Sequence, residues 1–386
     1  MEEFPFKKTF MPSPEELMEN LKEYAAVLPS RCSETDLSKS GVWTYDKKFP
    51  NNIRFQTKMF HLNWHDYHFY NGVLTNTRFL THVQSPTDYE RMDVLADLFT
   101  EDQRLKATKQ TSKRSIMEEW EDPKYRQAVY NYCRAHFEEC SPKNLRESIY
   151  KISKECTQFK PSLTASIVKL FDAKKVLDFS AGWGDRLLGC IAADVEYYHG
   201  YDPNQNLRKG HYEILETFDY KDKACIQYEP FEKAELPKGV FFDLVFTSPP
   251  FYDFEIYTDD TTQSIHNYPT LEKWIVHFLF ASIRKACSVL TECGVCVIHI
   301  SDVYKTRVCE PMLLLVKWLI GGEVEYAGVI NTVGAANKPR PMWVFRRATR
   351  KSHQPKYSVR DAEFALKKYF PGVYSEAIKV RDQEFV

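Results

Sequence analysis

Val176-Leu177-Asp178-Phe179-Ser180-Ala181-Gly182-Trp183-Gly184-Asp185-Arg186 decides how the chain is read. An apolar run ends in an acid, as a buried strand does. Two glycines one residue apart then make a tight turn, and Asp185-Arg186 opens a helix. Glycine accepts positive φ and lets a ligand approach the backbone closely. The next strand ends at Gly200-Tyr201-Asp202-Pro203-Asn204. Asp202 thus lies about 20 residues past the turn, the spacing at which an acid can take both hydroxyls of a ribose. Leu187 stands where a third glycine of a dinucleotide turn would be, so a nucleoside-containing ligand is expected rather than a dinucleotide. Asp178, aimed at the turn, would repel a pyrophosphate and suit a cationic amino-acid moiety.

Outward from this stretch, helix and strand patterns alternate. Helices are expected over 161–171, 186–193, 206–217, 271–290 and 310–320. Strands are expected over 175–179, 196–201, 224–228, 241–246 and 295–301, with a closing pair at 324–330 and 342–346. Such alternation predicts an α/β fold with a parallel, doubly wound sheet. The closing pair, with no long helix between its members, predicts an antiparallel edge. Upstream the order changes. Ser13-Pro14-Glu15-Glu16 marks a helix start, and further helices are expected around 88–99, 122–139 and after Ser141-Pro142. Val42 to Tyr45 and Phe55 to Phe69 fit either strands or irregular packing. The expected organisation is an N-terminal, mainly helical and aromatic-rich accessory region for target recognition (1–145), a catalytic domain (146–350), and a basic then helical tail (351–386).

The strand at 241–246 stops at Ser248-Pro249-Pro250-Phe251-Tyr252. Both prolines lack an N–H and fix φ, so the strand cannot pass through them. A hydroxyl, rigid carbonyls and an aromatic plate are brought to one corner, which suits a flat molecule carrying an amino group. An ordinary strand-to-loop turn is the plain alternative. The polar, acidic stretch from Asp253 to Pro269 reads either as a flap over such a molecule, with Glu255 and Tyr257 as contacts, or as a surface loop.

Together the two stretches resemble the S-adenosylmethionine-dependent amino methyltransferases that modify nucleobases, over about residues 155 to 347. Their D-x-x-x-G-x-G turn is matched by Asp178, Gly182 and Gly184, and their [D/N/S]-P-P-[Y/F/W] tetrapeptide by Ser248-Pro249-Pro250-Phe251. Ser180 departs from the aromatic often found at its place. The resemblance implies a Rossmann-like methyltransferase sheet binding S-adenosyl-L-methionine. Asp178, Ser180, Gly182 and Gly184 would hold the methionine end, helped by Lys160-Pro161-Ser162. Asp202 would take the ribose, and Glu229-Pro230-Phe231 would meet the adenine. Ser248 and the Pro249 carbonyl would accept hydrogen bonds from the target amino group, with Phe251 and Tyr252 stacking on its ring. The implied reaction is methylation of adenine N6 or cytosine N4, in DNA rather than RNA. Methylation of RNA or of a protein glutamine stays open, as does a nucleic-acid-binding module that keeps the fold without transfer. The glycine turn precedes the tetrapeptide by only about 65 residues, so no recognition domain fits between them.

Composition sets outer limits. The net charge of −1 excludes a general polycation, so nucleic-acid contact needs local patches. Two candidates are Gln103 to Met117 and the acid-free run Lys338 to Arg360, which includes Arg350 and Lys351. A solvated helix face is the plain alternative for the first. Ten cysteines without a repeating pattern fit free thiols in a reducing compartment. Met312 to Ile320 is too short to span a bilayer, and an intracellular protein without membrane insertion is expected. Cys293-x-x-Cys296 with His299 beyond it lacks a second ligand pair and runs into a strand, so no metal is expected. His61, His65 and His68 are read as packing.

Overall fold

The computed structural model describes residues 3–26, 79–84, 90–303, 306–333, 339–348 and 358–381. Val42 to Tyr45, Phe55 to Phe69, the three clustered histidines, Lys338, Arg350, Lys351 and Lys356 lie outside them. In chain order, α1 (Pro14–Ala26) is followed by β1 (Phe79–Gln84), α2 (Asp97–Lys106), β2 (Thr108–Lys109), α3 (Ile116–Trp120), α4 (Pro123–His136) and α5 (Pro142–Ile152). The regular half runs α6 (Pro161–Phe171), β3 (Lys175–Asp178), α7 (Asp185–Ala192), β4 (Tyr197–Tyr201), α8 (Arg208–Thr217), β5 (Ala224–Gln227) and β6 (Phe242–Thr247). Then come β7 (Glu255–Ile256), α9 (Ser264–Asn267), α10 (Leu271–Lys273), a π-helical stretch (Trp274–Phe280) and α11 (Ala281–Ser288). The chain closes with β8 (Leu290–His299), α12 (Cys309–Ile320), β9 (Val324–Val333), β10 (Pro339–Arg347), α13 (Val359–Tyr369) and α14 (Pro371–Arg381).

The main sheet has eight strands in the order β1-β9-β10-β8-β6-β3-β4-β5. All pairings are parallel except those of β10, which runs antiparallel to both β8 and β9. The expected α/β sheet and its antiparallel pair are therefore present. Their placement differs in one respect: β10 lies inside the sheet and β1, from the N-terminal region, takes the edge. Chain order runs from β3 toward β5 on one side and from β6 outward on the other. The sheet's direction of growth thus reverses between β3 and β6, which opens a crevice at the carboxyl ends of these two strands.

Both faces are covered because alternate strand residues point to opposite sides. Val176, Tyr198, Leu244, Phe246, Val295 and Val297 face α1, α6 and α7. Leu177, Phe179, Tyr201, Val245, Cys296 and Ile298 face the π-helical stretch and α11 to α14. The helix expected over 271–290 thus forms as one rod with a π-helical middle.

The N-terminal helices are joined to this core. Tyr24 of α1 meets Ser166 Oγ of α6 at 2.8 Å. Gln103 to Met117 is not a single basic helix, because α2 ends at Lys106 and α3 starts at Ile116. Its Arg104 is buried against Asp97 (2.7 Å) and Glu155 (2.7 Å), so it cannot contact phosphate. A buried cation is tolerated only when paired in this way. In the second basic run, Arg346 is paired with Glu325 and Arg347 Nη1 donates to the Leu290 carbonyl.

Candidate active site at the sheet switch point

Two turns leave the crevice, one after β3 and one after β6, about one strand spacing, roughly 4.8 Å, apart. The first is the glycine turn. Gly182 and Gly184 have φ of +59° and +96°, a backbone that L side chains rarely adopt. A Cβ on Gly184 would stand 2.7 Å from Ile214 Cδ1 of α8, so that glycine is required by packing as well as by the turn. Asp202 Oδ2 accepts from Gly182 N at 2.8 Å, and its Oδ1 accepts from Asn204 N at 3.0 Å. Burial pushes the Asp202 carboxyl up to about 6, against the pull of those two N–H groups.

Two residues that no local pattern marks complete the turn. His211 Nε2 lies 2.8 Å from the Gly182 carbonyl and its Nδ1 lies 3.1 Å from Tyr228 Oη. Burial lowers the imidazole to about 4, so the neutral ring donates from Nε2 and accepts at Nδ1. Thr100 of α2 donates to the Trp183 carbonyl at 2.8 Å. The glycine turn is thus held from β4, α8 and the N-terminal layer together.

Asp178 is occupied by partners within the protein. It is fully buried, and its Oδ2 pairs with Arg186 Nε at 2.7 Å and accepts from Tyr198 Oη at 3.0 Å. Its Oδ1 accepts from Ser180 N, and Arg186 Nη2 also bonds the Ser180 carbonyl. The charge expected to meet a cationic amino-acid moiety is thus balanced by Arg186 inside the protein. Lys160 is exposed and lies 3.7 Å from Asp93, while Pro161 is buried at the start of α6. The residue before them, Phe159, is the one that reaches the crevice. Phe231, expected to meet the adenine, has its ring in the core. It is buried, stacked on Phe179 at 5.2 Å and edge-on to Tyr201 at 4.9 Å. Glu229, at the end of β5, is exposed.

The second turn is the tetrapeptide. Register places Thr247 of β6 beside Ile298 of β8, and the next pair along is Ser248 and His299. Ser248 Oγ lies 3.0 Å from His299 Nδ1. His299 is 8% exposed, with the Phe159 ring edge-on at 5.2 Å and the Phe251 ring tilted at 5.9 Å. In the sequence His299 stands beside Cys293 and Cys296, with no metal expected. The structure separates them, because Cys296 points into the core while His299 ends the strand at the crevice. Among the described residues no group of three or more His, Cys, Asp or Glu side chains could hold a metal. Nor is any described helix long and apolar enough to cross a membrane.

Tyr252 turns away from this corner. Its φ is +58°, its ring packs edge-on against Trp274 at 5.8 Å, and its hydroxyl donates to the Pro269 carbonyl at 2.8 Å. Phe251 is left as the aromatic plate beside Ser248. Glu255 and Tyr257 do not contact the corner either. Glu255 is buried, lies 3.6 Å from Lys109 and accepts from Thr157 N at 3.0 Å and Tyr257 Oη at 3.0 Å. The Tyr257 ring sits edge-on to Trp183 at 5.6 Å, over the glycine turn. Further along the loop, Thr262 Oγ1 reaches the Pro203 carbonyl at 3.5 Å. The segment after the tetrapeptide therefore spans the crevice toward Asp202 and Pro203.

No family model matches the chain, and no curated protein does. Several solved structures are similar in shape. TrmN from Thermus thermophilus aligns at 12% identity over 59% of this chain and 79% of that one, with a TM-score of 0.36. The O-methyltransferase from the trans-AT PKS multienzyme of Brevibacillus brevis, in complex with S-adenosyl-L-homocysteine, aligns at 11% identity over 54% and 77%, with a TM-score of 0.33. An rRNA methylase from Streptococcus thermophilus aligns at 12% identity over 46% and 89%, with a TM-score of 0.32.

Proposed function

We propose that this chain is an S-adenosyl-L-methionine-dependent methyltransferase acting on the exocyclic amino group of a nucleobase, adenine N6 or cytosine N4, with DNA the favoured polymer. The observation that carries the proposal is the meeting of Ser248, Phe251 and His299 at the ends of β6 and β8, one strand from the glycine turn and Asp202. A nucleoside fits the donor side. The Asp202 carboxylate keeps lone pairs beyond the two N–H groups it already accepts. Thr247 Oγ1, one residue before the tetrapeptide, and Gln263 Nε2, in the loop over Pro203, are buried with no hydrogen-bond partner among the described residues. Buried polar groups of this kind ordinarily find partners.

When bound, the cofactor supplies an electrophilic methyl group. The protein's part is to position the acceptor. An amino nitrogen conjugated to its ring is a weak nucleophile, because its lone pair is delocalised. Acceptors out of the ring plane, Ser248 Oγ and the Pro249 carbonyl, draw its hydrogens and free the lone pair for in-line attack. As the N–C bond replaces the donor's S–C bond the nitrogen becomes acidic, and one of those hydrogens leaves as a proton to solvent. Most of the acceleration is then positional. Phe251 offsets part of the few kcal/mol needed to take a base out of a duplex.

The test is incubation of the full chain with labelled cofactor and DNA, RNA or protein, followed by digestion to nucleosides and amino acids. Label in N6-methyladenine or N4-methylcytosine is expected. Binding of cofactor with no label in any pool would overturn the proposal. Ser248→Ala should slow transfer by about tenfold to a hundredfold, the cost of one lost hydrogen bond to a developing charge, and leave cofactor affinity within about twofold.

A further inference from the structure

We infer that His299 is a positioning residue that fixes the polarity of the Ser248 hydroxyl, and so makes the corner select an amino acceptor over a keto one. The inference rests on the reading of Ser248 as the acceptor-side hydroxyl. A serine hydroxyl has one hydrogen to donate and two lone pairs. Left alone, it rotates to suit either an amino group or a carbonyl, and it distinguishes neither.

Here the hydroxyl does not stand alone. His299 Nδ1 is 3.0 Å from Ser248 Oγ, and among the described residues it is the hydrogen-bond partner of that oxygen. A neutral imidazole offers one donor and one acceptor nitrogen. If Nδ1 donated, the serine hydrogen would be left pointing into the crevice without a partner. If Nδ1 accepts, the serine hydrogen is taken up by the imidazole, and the serine lone pairs are what face the crevice. The ring is held for this. Phe159 stands edge-on at 5.2 Å and Phe251 lies tilted at 5.9 Å. Phe159 is itself fixed between Phe246, at 5.7 Å, and the Arg186 guanidinium, 5.2 Å from the ring centre.

The consequence concerns substrate class. An amino group presents N–H to the Ser248 lone pairs. A keto oxygen at the same place sets lone pair against lone pair and leaves the serine oxygen unmatched. A buried polar group without its partner costs about 1–3 kcal/mol, or a discrimination of about tenfold to a hundredfold. The same pair therefore favours cytosine over uracil, or adenine over hypoxanthine, before any chemistry.

Two measurements test this on the full chain. The first needs no methyl transfer: long-range proton–nitrogen NMR of histidine-labelled protein, with the His299 signals assigned by their loss in His299→Asn. The inference expects an unprotonated Nδ1 whose shift moves in Ser248→Ala. A protonated Nδ1, or a signal indifferent to that change, overturns it. This readout stands even if no transfer is found, so it fails separately from the proposed function. The second is a substitution pair. Asn presents Oδ1 near the position of Nδ1, so His299→Asn should keep kcat within a few-fold, while His299→Phe lowers it about tenfold to a hundredfold with cofactor affinity unchanged. Equal loss in both variants, or loss appearing only in cofactor affinity, would refute a positioning role.

Discussion

Replacing His211 with Gln should flatten the acid limb of the protein's stability. The imidazole is 1% exposed and bridges the Gly182 carbonyl and Tyr228 Oη. Burial lowers it from an ordinary 6.5 to about 4. The unfolded chain takes up a proton near 6.5, whereas the folded protein resists until about 4, so between these values the unfolded state binds more protons. Stability from this group is therefore fully present above 6.5 and is lost as pH falls through about 4. At 1.36 kcal/mol per pH unit the window is worth roughly 3 kcal/mol. Gln keeps an N–H for the Gly182 carbonyl and has no proton to gain. Urea unfolding of both proteins at steps from about pH 7.5 to pH 4 supplies the comparison. The stability gap between them should shrink, or reverse, by roughly 3 kcal/mol across that range, while His199, also lowered by burial, contributes equally to both. A gap that does not change with pH would refute the reasoning.

Two further substitutions separate holding from binding at the glycine turn. Gly184→Ala should cost roughly 2–4 kcal/mol in thermal or urea unfolding, combining a left-handed alanine with overpacking, since its Cβ would stand 2.7 Å from Ile214; an unaltered melting temperature would count against that geometry. Asp178→Asn should cost about 3–5 kcal/mol, because Arg186 would be left buried without its counter-charge. A loss of cofactor affinity with stability intact would instead return Asp178 to the ligand.

The main sheet is readable in the sequence because each of its strands β3, β4, β5, β6, β8, β9 and β10 carries an apolar run between glycine, proline or charged breaks, and burial on both faces demands such runs. β1 is not. Phe79 to Gln84 follows a long aromatic stretch of no clear period, and its place depends on pairing with β9 far along the chain. The tetrapeptide and glycine turn were legible for a similar local reason: proline and glycine restrict the backbone by their own chemistry. What those turns touch was not legible. Glu229-Pro230-Phe231 announces a turn, but whether the Phe231 ring goes outward or onto Phe179 is settled by packing across the sheet. Asp178 and Arg186 both lie in the opening motif, and only the folded turn shows that they neutralise each other. His211 and Thr100 carry no local signature, because each acts on the glycine turn from a different element.

This last class of contact bears on the organisation of the whole chain. The loop after the tetrapeptide is paired to the N-terminal region by β2 and β7. Gln110 N donates to the Phe254 carbonyl at 2.9 Å, Gln110 Nε2 to Asp253 at 2.9 Å, and Lys109 lies 3.6 Å from Glu255. A few residues before β2, Thr100 grips the Trp183 carbonyl, and Tyr257 of the same loop packs on the Trp183 ring. The segment from α2 through β2 is thus fastened both to the turn of the donor side and to the loop of the acceptor side. The Lys109–Glu255 pair is largely buried, and with the backbone pairing and the packed Trp183 ring it makes the attachment specific. A contact made on the N-terminal region is therefore one strand pair away from the loop that spans the crevice.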